Sequence, residues 1–72
     1  MRVFDLGCGD GSFIRAMIKG GFTGDFIGSD ISQVMINMAK RNLNNLGVGL
    51  FVSDGFDLRL RSQIKFDVIH IR

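Results

Sequence analysis

Residues 2–12 read RVFDLGCGDGS, and this stretch decides the fold class. Its first part, residues 2–6, is a short apolar run typical of a buried strand. Three glycines follow within residues 7–11, which we call the glycine loop. Glycines at this position allow a sharp turn and let the backbone approach a ligand with no Cβ in the way. Apolar residues at helical spacing begin after Ser12, so the loop is predicted to join a strand to a helix.

The rest of the chain alternates between the two kinds of pattern. Apolar spacing predicts one helix over about residues 12–19 and a second over about 33–44. Further strands are predicted at residues 25–29, 50–53 and 66–71. This alternation predicts βαβ units and therefore a parallel sheet.

Local sequence also predicts where the helices begin and end. Ser12 or Asp10 is a candidate N-cap for the first helix, and Ser32 is one for the second. Gly20-Gly21 is the predicted end of the first helix. Gly28, inside the second strand, indicates a close backbone approach. The apolar stripe of the second helix is predicted to consist of Val34, Met35, Met38, Ala39 and Leu46.

Connection rules turn these elements into a topology. Right-handed crossovers place both helices on one face of the sheet. With the fourth strand on the other side of the first, the strand order is 3-2-1-4 and the switch point lies beside the glycine loop. Open α/β sheets bind ligands at such points. We therefore predict an α/β fold with a partial, Rossmann-like parallel sheet and helices after strands 1 and 2.

Length and composition predict that residues 1–72 form an incomplete domain. A domain of this size buries only about 60% of the surface of its unfolded chain and usually needs disulfides or a metal. One cysteine and one histidine are too few for an internal disulfide or a structural zinc site, so we expect no metal.

The sequence also bears on location and partners. Asp5 and Asp10 break the early apolar stretch, which excludes a signal-peptide pattern, and no apolar run approaches the roughly 20 residues of a membrane span. We therefore expect a cytoplasmic protein with no membrane partner. The net charge is only +2. The short basic run of Arg59, Arg61 and Lys65 favours a solvated surface over a nucleic-acid groove.

Acidic residues follow the predicted strands at positions where a nucleoside would bind. Asp30 lies about 20 residues after the loop, where a carboxylate can accept hydrogen bonds from both ribose hydroxyls. Asp54 follows the third predicted strand. A purely structural role is the alternative for each residue: a helix cap for Asp30 and an Asp-Gly turn for Asp54. The loop spacing is Gly-x-Gly-x-Gly, whereas the dinucleotide pattern is Gly-x-Gly-x-x-Gly, and Ser12 stands at the third glycine of that pattern.

Residues 3–11 resemble the first motif of class I S-adenosylmethionine-dependent methyltransferases, and the wider pattern resembles their small-molecule-type branch. Asp5 matches the family's acidic residue two positions before the first glycine. The resemblance implies that Asp5 faces the methionine ammonium of the cofactor, often through water. It also implies that the backbone of Gly7, Cys8 and Gly9 lines the methionine and ribose portions.

The same resemblance extends to the next two strand ends. It implies that Asp30 binds the ribose hydroxyls and that Ile31 packs on the adenine. It further implies that Asp54 accepts a hydrogen bond from the adenine amino group, and that the backbone N–H of Gly55 or Phe56 meets a ring nitrogen.

Asp67, His70 and Cys8 are further candidates for a chemical role. The pair Phe66-Asp67 resembles the family's fourth-strand signature, and we expect Asp67 to be structural because it begins its strand. His70 could act as a general base or contact a substrate, but an ordinary strand residue is the favoured interpretation. Cys8 is interpreted as a packing residue rather than a nucleophile. No residue is identified as catalytic.

The function implied is S-adenosylmethionine-dependent methyl transfer to an acceptor that the sequence does not identify. This chain would supply the cofactor-binding half and be inactive alone. One alternative is an NAD-type dinucleotide-binding half-domain, which the loop spacing and Asp54 argue against. The other is a non-catalytic α/β interaction module, which the set of Asp5, Asp30 and Asp54 argues against.

Overall fold

A computed structural model describes residues 1–53 and 65–71 of the chain. The elements in chain order are β1 (Arg2–Leu6), α1 (Ser12–Lys19), β2 (Asp25–Asp30), α2 (Gln33–Asn42), β3 (Gly49–Val52) and β4 (Val68–Ile71). The four strands form one sheet in the order β3-β2-β1-β4, and every pairing is parallel. The predicted strand order, the Rossmann-like α/β class and the helices after strands 1 and 2 are confirmed.

The strand register brings the end of β1 beside the ends of its two neighbours. Asp5 lies opposite Gly28 on β2 and opposite His70 on β4, and Leu6 lies opposite Ser29 and Ile71. Since the strands are parallel, their carboxyl ends meet at one edge of the sheet. The glycine loop leaves the sheet at this edge, between β2 and β4.

The hydrophobic core lies between one face of the sheet and the two helices. Its buried members are Val3, Ile14, Phe26, Ala39 and Leu43. Val3 and Phe26 are register partners on β1 and β2, and Ile14 comes from α1. Burial of these side chains fixes both helices on the same face of the sheet, as the crossover rule predicts.

The buried stripe of α2 differs from the prediction. Ile36, Ala39 and Leu43 are buried, whereas Val34 is 65% exposed and Leu46 is 42% exposed. Apolar residues lie on more than one side of this helix, so helical spacing alone allows two stripes that differ by a rotation of about 100°. Packing against the sheet selects the stripe that consists of Ile36, Ala39 and Leu43.

The predicted helix ends are partly confirmed. Ser32 caps α2, since its Oγ accepts a hydrogen bond from the Met35 amide at 3.2 Å. The amide of Gly20 closes α1 on the Ala16 carbonyl. The predicted N-cap of α1 is wrong: Gly11 occupies that position.

The side chain of Asp10 nevertheless bonds the first turn of α1. It accepts hydrogen bonds from both the amide and the hydroxyl of Ser12, which is the first helical residue. α2 ends at Asn42, two residues before the predicted end, and Leu46 therefore lies beyond the helix.

A cavity of about 410 Å³ opens at the other edge of the sheet, near the amino ends of the strands. Arg2, Asp25 and Gly49, among its lining residues, begin β1, β2 and β3. The cavity is therefore separate from the edge at which the glycine loop lies. Neither α1 nor α2, the helices in the part of the chain that the structure describes, has the length and apolar character to cross a bilayer.

Replacement of Gly11 by alanine tests the packing of the glycine loop on α2. Gly11 has a φ of 85°, and a Cβ built on it would lie 2.7 Å from Cδ1 of the buried Leu43. We expect Gly11→Ala to lower the free energy of unfolding by about 2–4 kcal/mol, from left-handed strain of about 1–2 kcal/mol and overpacking of about 1–2 kcal/mol. Urea denaturation followed by circular dichroism measures the change.

Gly47→Ala is the matched control, because Gly47 has a φ of 70° and no atom lies within 4 Å of the added Cβ. Backbone strain alone should then cost about 1–2 kcal/mol. Equal losses in the two variants would contradict a tight contact between the loop and α2.

Candidate functional site

The glycine loop is folded against the end of β2. The amides of Gly7 and Cys8 both donate to the Ser29 carbonyl oxygen at 2.8 Å, and the Gly11 amide donates to the Cys8 carbonyl at 3.0 Å. Gly7, Gly9 and Gly11 have φ values of 77°, 56° and 85°. Glycine adopts this left-handed region without the Cβ clash that other residues meet. The sequence of the loop is thus what its turn requires.

Asp30 connects the loop to the start of α2. One carboxylate oxygen accepts from the Gly9 amide at 2.9 Å, and the other accepts from the Ser32 amide at 2.9 Å. Asp30 therefore lies beside the loop and bonds the amide of Ser32, but the N-cap of α2 is Ser32 itself. A carboxylate has about four lone-pair positions, so each oxygen can still accept a hydrogen bond from a ligand hydroxyl.

Cys8 lies beneath the loop and packs against β2. It is fully buried, and a Cβ added to Gly28 would lie 3.1 Å from both its Cβ and its Sγ. A close approach therefore occurs at Gly28, but it is made by side chains and not by the backbone that was predicted. Burial supports the interpretation of Cys8 as a packing residue, because a nucleophile must be reachable.

Asp5 lies under His70 rather than at the surface. Its side chain is 0% exposed, and its Oδ1 is 2.8 Å from His70 Nδ1. Asp5 Oδ2 is buried and has no hydrogen-bond partner among residues 1–53 and 65–71. The imidazole in turn stacks on Phe13 of α1, with ring centroids 3.9 Å apart and planes at 9°.

Sequence reasoning missed the contact between Asp5 and His70. These residues are 65 positions apart, and the favoured interpretation made His70 an ordinary strand residue. The signal that could have found it was the predicted adjacency of the first and fourth strands. Asp5 and His70 each lie one residue before the end of their strand, and this equal distance pairs them.

The remaining predicted contacts are only partly described. Ile31 follows Asp30 and is 72% exposed, so its side chain is accessible to a ligand at this edge. Asp54, Gly55 and Phe56 lie outside the described residues, as do Arg59 and Arg61. No group of three or more metal-ligating side chains occurs within the described ranges.

Asp67 lies at the opposite edge, where it ties β4 to β1. Its carboxylate accepts from the Arg2 amide at 2.7 Å, and its own amide donates to the Arg2 carbonyl at 2.8 Å. These contacts support the structural role expected for Asp67.

The fold and loop can now be compared with known proteins. A family model described as a methyltransferase domain matches residues 3–72, which is nearly the whole chain. The chain belongs to this methyltransferase domain family. The matched range includes the glycine loop, Asp5, Asp30 and His70.

Solved methyltransferases share the architecture. An S-adenosylmethionine-dependent methyltransferase from Mesorhizobium loti is 31% identical, with a TM-score of 0.81 over 97% of this chain and 32% of its own. The plantazolicin methyltransferase BpumL, solved with SAH (S-adenosylhomocysteine), is 27% identical, with a TM-score of 0.79 over 99% of this chain and 26% of its own.

A protein from Pyrococcus horikoshii is also similar. It is 34% identical, with a TM-score of 0.62 over 74% of this chain and 25% of its own. This chain therefore spans about a quarter to a third of the length of these three proteins.

Asp30 is expected to stabilise the fold in the absence of any ligand. Asp30→Ala removes the acceptor for the Gly9 and Ser32 amides, and hydrogen bonds to charged groups contribute about 1.5–3 kcal/mol each. Because the site is half-buried and water can replace part of each bond, we expect a total loss of about 2 kcal/mol in the free energy of unfolding. Faster hydrogen exchange at the Gly9 amide should accompany it.

Asp25→Ala is the control on the same strand. Asp25 is 77% exposed and lies 3.7 Å from Arg2 Nε, so the loss should stay below about 0.5 kcal/mol. Similar losses in the two variants would show that Asp30 does not hold the loop.

Proposed function

We propose that this chain binds S-adenosylmethionine and supplies the cofactor-binding part of a methyltransferase that acts on an acceptor still to be identified. The observation that carries the proposal is the Gly9–Asp30 hydrogen bond. In this bond a carboxylate with spare acceptor capacity lies directly beside a glycine-rich backbone turn, at the switch point of a parallel sheet. SAH bound to the similar protein BpumL supports the choice of ligand.

The residues at this edge fit the two ends of such a cofactor. For the adenosine end, Asp30 offers acceptors to the ribose hydroxyls and the exposed Ile31 offers an apolar surface to the adenine. Asp54 and Gly55 complete the proposed adenine contacts by the resemblance in sequence alone.

For the methionine end, Gly7, Cys8 and Gly9 offer a backbone surface. Asp5 offers negative charge, and its Oδ2 lacks a partner among the described residues. Buried polar atoms of this kind are rare in folded proteins. The negative charge of Asp5 favours a cation nearby.

The bound cofactor supplies a methyl group on a sulfonium, ready for in-line displacement by the acceptor. The contribution of this chain is to hold and orient the cofactor, since methyl transfer depends on positioning and on exclusion of water. The loop is already folded by its own hydrogen bonds, so little order has to be gained on binding. The proposal needs no residue of this chain to act as an acid or base.

An NAD-type dinucleotide is the alternative ligand, and two features disfavour it. The loop lacks the third glycine at the dinucleotide spacing, where Ser12 stands. A carboxylate at Asp5 would also repel a pyrophosphate lying on the loop, whereas it attracts the ammonium of S-adenosylmethionine.

Titration of the 72-residue chain with S-adenosylhomocysteine tests the proposal. We expect saturable binding by calorimetry or by shifts of the Gly7 and Gly9 amide resonances. Asp30→Asn should weaken it about tenfold or more, because a charge-assisted acceptor of the ribose hydroxyls is replaced by a neutral amide. Asparagine keeps one oxygen acceptor, so the loop contact is disturbed less than in Asp30→Ala.

Asp25→Asn is the matched control, because it removes the same charge from the amino end of the same strand and should leave the affinity unchanged. Binding that is equally strong in Asp30→Asn would refute the site. Binding of NADH in place of S-adenosylhomocysteine would assign the chain to the dinucleotide alternative, and binding of neither would favour the interaction module.

A further inference from the structure

The imidazole of His70 lies over the Asp5 carboxylate and reaches the surface. Asp5 is 0% exposed, whereas the His70 side chain is 35% exposed and lies against Asp5 Oδ1. A ligand at this edge therefore meets His70 before it can meet Asp5. Direct contact with Asp5 would require the imidazole to move.

The contact with Asp5 orients this imidazole. An ionised carboxylate only accepts hydrogen bonds, so next to an ionised Asp5 the hydrogen lies on His70 Nδ1, which donates it. In the neutral ring, Nε2 then has a free lone pair and is an acceptor. The parallel stack on Phe13 holds the ring plane.

We propose that His70 Nε2 accepts a hydrogen bond from the ammonium group at the methionine end of the ligand, with Asp5 as the positioning residue behind it. This inference rests on the proposed function and changes one part of it, since Asp5 then acts through His70. With a neutral ring the Asp5–His70 pair has a net charge of −1, which attracts a cation. His70 also lies opposite Asp5 in the register, beside the glycine loop where the methionine portion is proposed to lie.

Two ligands separate this contact from a general effect on folding. S-Adenosylhomocysteine carries the ammonium, whereas 5′-methylthioadenosine keeps the adenosine and sulfur but lacks the amino acid. His70→Phe keeps an aromatic ring to stack on Phe13 and removes both nitrogens. In calorimetric titrations we expect this variant to bind S-adenosylhomocysteine about 10- to 100-fold more weakly and 5′-methylthioadenosine with unchanged affinity.

Asp5→Asn is the second variant, since His70→Phe leaves a buried carboxylate without its partner and can reduce folding. Asparagine Oδ1 can still accept from Nδ1, so the imidazole stays in place while the negative charge is lost. We expect S-adenosylhomocysteine to bind several-fold more weakly and the affinity for 5′-methylthioadenosine to stay unchanged. Ile69→Ala is the control on β4, because Ile69 alternates with His70, is 41% exposed and should change neither affinity.

Decarboxylated S-adenosylhomocysteine, which keeps the ammonium, should retain the full dependence on His70. Loss of that dependence would assign His70 to the carboxylate and overturn the inference. Unchanged or tighter binding of S-adenosylhomocysteine to His70→Phe would also overturn it, because a ligand that reaches Asp5 directly gains access when the imidazole is replaced. Failure of the unmodified chain to bind either adenosyl ligand would instead refute the proposed function.

Discussion

The Ser29 carbonyl oxygen accepts two hydrogen bonds from the glycine loop, and the rest of the site depends on this contact. The donors are the consecutive amides of Gly7 and Cys8. They can converge on one oxygen because the register places Leu6, the last residue of β1, opposite Ser29. Strand pairing therefore determines the shape of the loop before any ligand is present, and the entropy cost of ordering it is met during folding.

Packing below the loop follows from the same contact. Cys8 packs on β2, and a Cβ at position 28 would lie only 3.1 Å from its Cβ and Sγ, which is a tight contact. Asp30, at the end of that strand, then reaches the Gly9 amide. Its carboxylate is held by two amides from different elements, so a nucleoside would meet an acceptor that is already oriented. Stability and the proposed ligand binding thus depend on the same atoms.

The sequence predicted the sheet better than it predicted the contacts around it. The strand order followed from the alternation of patterns and from crossover handedness, which depend on chain connectivity and not on individual side chains. The buried face of α2 was mispredicted at Val34 and Leu46 because apolar residues on several sides of a helix leave its rotation open. The side of α2 that is buried is determined by its packing against the sheet.

In the site, too, features set by neighbouring residues were predicted better than contacts between residues far apart in the sequence. The glycine loop and the positions of Asp5 and Asp30 could be predicted, since each lies within a few residues of a strand end. The contact between Asp5 and His70 was missed, because it depends on the register of β1 and β4 and not on the residues near either one. The N-cap of α1 was missed for a related reason: the left-handed turn that ends the loop places Gly11 at the position where a polar cap was expected.

The burial of Asp5 links the fold of β4 to the chemistry of the site. A buried carboxylate costs several kcal/mol unless it is paired, and the described residues pair only one of its oxygens. An apolar residue would fill this position at lower cost if packing were its only role. The pairing group comes from β4, a strand of four residues, and stacks on Phe13 of α1. A ligand cation at His70 would therefore stabilise the position of β4 on β1 as well as the imidazole itself.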